Sequence, residues 1–210
     1  MARILVLLAL CANGVADAAL IGSPEFVHRS VPGAPAGHVV NGMSIDFDGQ
    51  LFGQQLVVTL TQGTIYQDVF GTETPPSPAL FPIFPSLAAD TFVAIGGYDS
   101  VTSRPVIVIG GTTELGVNGP KKFDNVGINI TWAPAPGVVV NGGRDFPIAQ
   151  ITLSNDARGS WHYFGNAGGT GVVTSGCISG GGFNLCPEPA SLLLAGFGAI
   201  AAALRPTRRE

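Results

Sequence analysis

Ser160 and His162 stand two residues apart in Gly159-Ser160-Trp161-His162. On an extended strand they point the same way, so a serine–histidine contact is sterically available. A hydrolytic triad also needs a sharp turn around the serine and an acid that orients the imidazole, and the flanking residues supply neither. His28 and His38 lie far off, with no His-x-His or His-Glu-x-x-His spacing. The polar decoration of a strand beside Trp161 accounts for Ser160 and His162. No catalytic residue and no cofactor are expected, and the chain is read as a non-enzyme.

Asp46 and Asp48 share one face of a strand and are followed by Gly49. Paired carboxylates bind calcium or act as acid and base. The spacing of a calcium loop is missing, and two acids on a solvated strand face are the alternative, so the pair is a weak calcium candidate only. Asp99, Asp145 and Asp156 are scattered acids assigned to loops. Of three cysteines, Cys11 lies in an apolar N-terminal stretch, leaving Cys177 and Cys186 as a disulfide candidate or two free thiols. No further Cys and no nearby His accompany them, so no metal is expected. The glycine tract from Gly165 to Gly182 has no Gly-Lys-Ser or Gly-Lys-Thr and reads as a flexible edge, with 175–186 a Gly-rich linker. Trp132, Trp161, Tyr98 and Tyr163 would stack on sugar faces if exposed; both tryptophans also sit in strand patterns that place them in a core.

The elements that carry these residues follow from alternation. Val126, Ile128, Ile130 and Trp132 alternate with small or polar residues, as do Ala149, Ile151 and Leu153. Both runs predict strands with one buried face. Met43, Ile45 and Phe47 predict another. Residues 56–61 and 64–70 flank Gln62-Gly63 and predict a hairpin. Asp90 to Ile95 and Pro105 to Ile109 are further strands, the second apolar on both faces and so placed centrally. Trp161 to Phe164 and Val172-Val173 complete the set. Asn41-Gly42, Gly96-Gly97, Gly110-Gly111, Asn118-Gly119 and Asn141-Gly142-Gly143 read as turns. Prolines at 75, 76, 78, 82 and 85 exclude a helix over 74–89. That segment is an extended loop whose Leu80, Phe81, Ile83, Phe84 and Leu87 cover a sheet or meet a partner.

Composition agrees with an all-β body. Of 210 residues, 30 are Gly and 16 Pro, and only 11% are charged. Nucleic acid is excluded as a partner, because the net charge is −4 and Lys121-Lys122 is the only basic pair in the body.

The ends carry a different signal. Arg3, the apolar run Ile4 to Ala12 and Ala16-Asp17-Ala18 have the order of a secretory signal peptide over 1–18, cut by signal peptidase after Ala18. At the other end Pro187-Glu188-Pro189 precedes an uncharged stretch, 190–204, and then Arg205, Arg208 and Arg209. As a helix that stretch reaches ~22 Å, short of the ~30 Å hydrocarbon core but tolerable where the bilayer thins. The arginines act as a membrane stop on the cytoplasmic side, leaving the body outside.

This order resembles the PEP-CTERM sorting signal over 187–210, with a plain tail anchor as the alternative. The resemblance implies a bacterial exported protein processed by an exosortase at the Pro-Glu-Pro region. It further implies transient residence in the inner membrane through 190–204 and association with the cell surface and extracellular polysaccharide. The body, 19–174, is similar to uncharacterised exported proteins with the same tail and more loosely to cohesin-like sandwiches. A single β-sandwich, cohesin-like or jelly-roll-like, is therefore expected. The function expected is that of a structural cell-surface or extracellular-matrix protein, associated with biofilm or exopolysaccharide. A carbohydrate-binding or adhesive module is the alternative, and an exported hydrolase the weakest reading.

Overall fold

A computed structural model of the chain describes residues 21–111 and 120–186. The expected signal peptide, the turn at Asn118-Gly119 and the tail from Pro187 lie outside the described residues. Those described are all-β, with ten strands in one antiparallel sheet, strongly curled into a half-barrel. No α-helix occurs among them.

The organising element is β2, His38–Gln62, a single strand of 25 residues. Drawn straight it would reach ~80 Å, against a radius of gyration of about 15 Å for a domain of this size, so it must bend. Register shifts at Met43/Ser44, Ile45/Phe47, Phe47/Gln50 and Leu51/Gln54 supply the bend, together with Gly49 at φ 75°. The first half of β2 pairs with β1 (Glu25–His28) and with β7 (Asn141–Ser154), which also pairs with β3 (Phe92–Val93). The second half lies between β6 (Gly127–Pro134) and β8 (Arg158–Ala167). Beyond β6 come β4 (Val106–Ile109) and β5 (Lys122–Asp124); beyond β8 come β9 (Thr170–Ser179) and β10 (Gly182–Asn184). Both ends of β2 return to one turn. Residue 38 pairs with Ser154 and Gln62 with Arg158, while the Gly37 carbonyl accepts from the Asn155 amide at 2.8 Å.

The curl brings the inward-facing residues together. Met43, Ile45, Phe47, Leu56, Val58, Ile130, Trp132, Ile151, Leu153, Trp161 and Tyr163 form one buried core. Thus the alternation read at 126–132 and 149–153 maps onto β6 and β7.

Six local expectations are corrected. Asn41-Gly42 and Asn141-Gly142-Gly143 are not turns but lie inside β2 and β7. Residues 64–70 do not form a hairpin with 56–61; Ile65 instead bridges Leu153 across the sheet, and the Tyr66 amide donates to the Thr152 carbonyl at 2.8 Å. Strand β4 is peripheral rather than central, pairing with β6 and leaving Ile107 and Ile109 exposed. Strand β7 is buried on both faces, because the proline-rich segment covers Gln150 and Thr152. The glycine-rich segment 175–186 is not a linker, since β9 and β10 form a hairpin there, with Gly180 and Gly181 at positive φ in its turn.

Cys177, in β9, is disulfide-bonded to Cys186, with the Cα atoms 5.2 Å apart. The closed loop is short, so its chain-entropy contribution is about 2–3 kcal/mol. Replacing both cysteines by serine should lower the urea unfolding free energy by about that amount. Unchanged stability in the double variant would show that the β9–β10 hairpin holds without the bond.

Candidate functional site

The proline-rich segment supplies the polar chemistry of the body. Pro78 and Pro85 each start a short 3-10 turn, Pro78–Leu80 and Pro85–Ala89, as suits a residue with fixed φ and no amide donor. The second turn lays three carbonyls over β7. Gln150 Nε2 donates to the carbonyls of Ala88 (3.0 Å) and Asp90 (2.8 Å), and Thr152 Oγ1 donates to that of Ala89 (2.6 Å). Leu87 is buried beneath, whereas Leu80 and Ile83 face outward. Exposed Phe70 packs against Phe84 with the rings tilted by 39° and their centroids 4.4 Å apart.

With both amide protons of Gln150 committed, its Oε1 is turned to Arg29, whose Nη1 donates to it. The Arg29 guanidinium lies 3.6 Å from the centre of the Tyr98 ring. Burial draws Arg29 below its ordinary pKa and raises that of Tyr98. Gly42 lies beneath this stack. A Cβ there would come within 2.6 Å of Tyr98 Oη and 2.7 Å of Arg29 Cδ, so the strand carries glycine where the stack rests on the sheet.

A second polar cluster surrounds Asp90. Its Oδ1 accepts from the Asp68 amide at 2.8 Å, while Oδ2 is buried without a hydrogen-bond partner. Gly71 packs against that oxygen so closely that any Cβ would overlap it. Burial pushes the Asp90 carboxyl up to about 6, and the nearby Asp68 carboxylate adds to this. The amides of Asp68, Thr91 and Thr72 oppose it. For Asp68 burial also acts upward, but the Ser86 hydroxyl, the Phe70 amide and the Tyr66 hydroxyl together hold it below the usual carboxylate range. Both acids line a cleft of ≈ 320 Å³ with Gln67, Glu73 and Phe123. Two carboxyls with separated titration are a prerequisite of acid–base chemistry. The unpartnered Oδ2 of Asp90, however, is sealed under Gly71. Asp90 fastens the 68–72 loop to the start of β3.

The residues singled out in the sequence are not brought together. Arg144 lies across Asp46 and Asp48, with Nη2 3.2 Å from Asp48 Oδ1 and Nε 3.9 Å from Asp46 Oδ2. Asp46 Oδ1 also accepts the Asp145 amide at 2.8 Å. The two carboxylates therefore already have a cation. Among the described residues no group of three or more His, Cys, Asp or Glu side chains is placed to share a metal ion. Ser160 and His162 lie on the outward face of β8, with no hydrogen bond between them among the described residues. Trp132, Trp161 and Tyr163 are buried and offer no face to a sugar, whereas Tyr98 is partly accessible beside Arg29. Lys121 pairs with Glu73 at 2.8 Å.

Arg29, Gln150 and Asp90 were missed as site residues. Nothing in the sequence pairs an arginine at 29 with a tyrosine at 98. The only local hint is a glutamine between two apolar residues, Ala149 and Ile151.

Pro187, Glu188, Pro189, Arg205, Arg208 and Arg209 lie outside the described residues, as does the stretch 190–204. Among those described, no helix is long and apolar enough to cross a membrane. No curated protein matches the chain. A family model described as the PEP-CTERM protein-sorting motif matches residues 186–209. It begins at Cys186, the residue whose disulfide closes the β body. That motif marks exported proteins sorted by exosortase. The chain thus carries a PEP-CTERM protein-sorting motif at its C-terminus, on a β-rich body that is otherwise unassigned.

Proposed function

We propose that the chain is a non-enzymatic structural protein of the cell surface or extracellular matrix, delivered by a cleaved signal peptide over 1–18 and sorted through its tail. The observation that carries this reading is the sorting motif at 186–209. The Cys177–Cys186 disulfide supports it, since such bonds persist in oxidising compartments. The curled sheet is a single half-barrel rather than two separate layers, and we read it as an open relative of the cohesin-like or jelly-roll-like sandwich expected from the sequence. Signal peptidase and exosortase are the processing partners, the inner membrane is a transient station through 190–204, and biofilm polysaccharide is the surroundings of the mature body.

The test is the mass and location of the mature protein in its native host, compared with a variant in which Pro187, Glu188 and Pro189 are all alanine. The wild type should lose its tail and appear at the surface or outside, while the variant remains full-length in the membrane. Equal mass and equal membrane retention would reduce the tail to a plain anchor and end the sorting reading.

A further inference from the structure

The pocket over Arg29 holds a preorganised cation beside an apolar wall. It is ≈ 280 Å³ in volume, room for one ring, with Val31, Phe81 and Pro85 as apolar wall and Arg29, Tyr98 and Asp99 as polar lining. Arg29 is fixed on two sides, by Gln150 Oε1 and by the Tyr98 ring. No carboxylate pairs with it among the described residues. Its remaining N–H groups are neither hydrogen-bonded to protein nor sealed from the pocket. A half-buried cation with free donors calls for an anion, and the planar fork of a guanidinium matches a carboxylate. Asp99 adds the second requirement. Its Oδ1 is occupied by the amides of Val101 (2.9 Å) and Thr102 (2.8 Å), which leaves Oδ2 to accept from a hydroxyl. An acid alone would leave Asp99 unanswered and a neutral polyol would leave Arg29 unpaired. The apolar wall suits the C–H face of a ring.

We propose that this pocket binds a sugar acid, its carboxylate on Arg29, a ring hydroxyl donating to Asp99, and its ring against Phe81 and Pro85. The proposal is independent of the sorting motif, and its failure would leave that reading intact. The source is either a free hexuronate or a hexuronate unit within an acidic polysaccharide.

Calorimetric titration of the detergent-solubilised full chain tests it, with glucuronate, glucose, acetate and an oligogalacturonate as probes. Glucuronate should bind about tenfold or more tighter than either glucose or acetate, since each lacks one charged-group hydrogen bond. Arg29→Gln should weaken glucuronate by about tenfold or more. Because that change also removes the stack on Tyr98, Asp99→Asn is the second variant. Its side-chain oxygen can still accept the Val101 and Thr102 amides, and it should weaken glucuronate while leaving acetate unchanged. With galacturonate as its own monomer control, an oligogalacturonate that binds tighter than that monomer assigns the polysaccharide as source; equal binding assigns the free acid. Glucuronate no tighter than acetate or glucose, or undiminished by Arg29→Gln, would overturn the proposal.

Discussion

Trp161→Ala should destabilise the body by about 3–5 kcal/mol, the range for truncating a large buried aromatic. The ring is fully buried and ties three elements of the sheet. It meets Phe26 of β1 edge-on at 5.0 Å between centroids, lies 6.3 Å from Phe183 of β10, and donates from Nε1 to the Asn184 carbonyl at 3.1 Å. Phe26 in turn stacks on Phe183 at 4.3 Å. Strands β1 and β10 have only four and three residues, so side-chain packing rather than ladder hydrogen bonds holds them. Urea unfolding measures the loss. Trp161→Phe should recover about half of it, because a smaller ring still reaches Phe26 but cannot donate to Asn184. A loss below about 1 kcal/mol in the alanine variant would show that the neighbours collapse into the space and that Trp161 is not the tie.

Asp90→Asn should abolish a loss of stability that the wild type suffers as pH rises. The folded carboxyl titrates at about 6, above its unfolded value of 3.8, so the native state holds the proton more tightly. Raising the pH through 4 to 6 deprotonates the unfolded chain first and pulls the equilibrium toward it. The loss is complete above the folded value and amounts to at most about 3 kcal/mol, at 1.36 kcal/mol per unit. Asparagine keeps an oxygen for the Asp68 amide and has no charge to bury. The stability of Asp90→Asn relative to wild type should therefore rise between pH 4 and pH 7, read by urea unfolding at both. Asp99 and Asp156, whose pKa values are lowered, act in the opposite direction in both proteins and cancel from the difference. A difference independent of pH would mean that Asp90 does not ionise in that interval.

Much of the sheet was legible because alternation is a local property. Val126 to Trp132 and Ala149 to Leu153 gave β6 and β7, and Trp161 gave β8. What alternation cannot convey is where a strand stops when bulges and glycines lie within it. Gly42 and Gly49 look like punctuation, yet the first makes room for Arg29 and Tyr98 and the second helps to bend β2. The apolar pattern of Val106 to Ile109 suggested a central strand, but the sequence does not say how many neighbours a strand acquires. The polar clusters were the least legible part. Arg29, Tyr98 and Gln150 are distant in sequence and meet only in the folded sheet, where the proline-rich segment also bonds to Gln150. The sorting motif, by contrast, is contiguous and ordered, and its residues could be read directly.

The disulfide also decides how the body bears mechanical load. The chain passes from β10 through Cys186 into the sorting tail. Without the bond, a pull on the tail would unzip β10 from β9 one rung at a time, over only three paired positions. With it, tension bypasses β10 and enters at Cys177, within β9, which pairs with β8 along nine positions. A tethered body would then meet force through its longer ladder, and its weakest strand would be shielded by a covalent shunt.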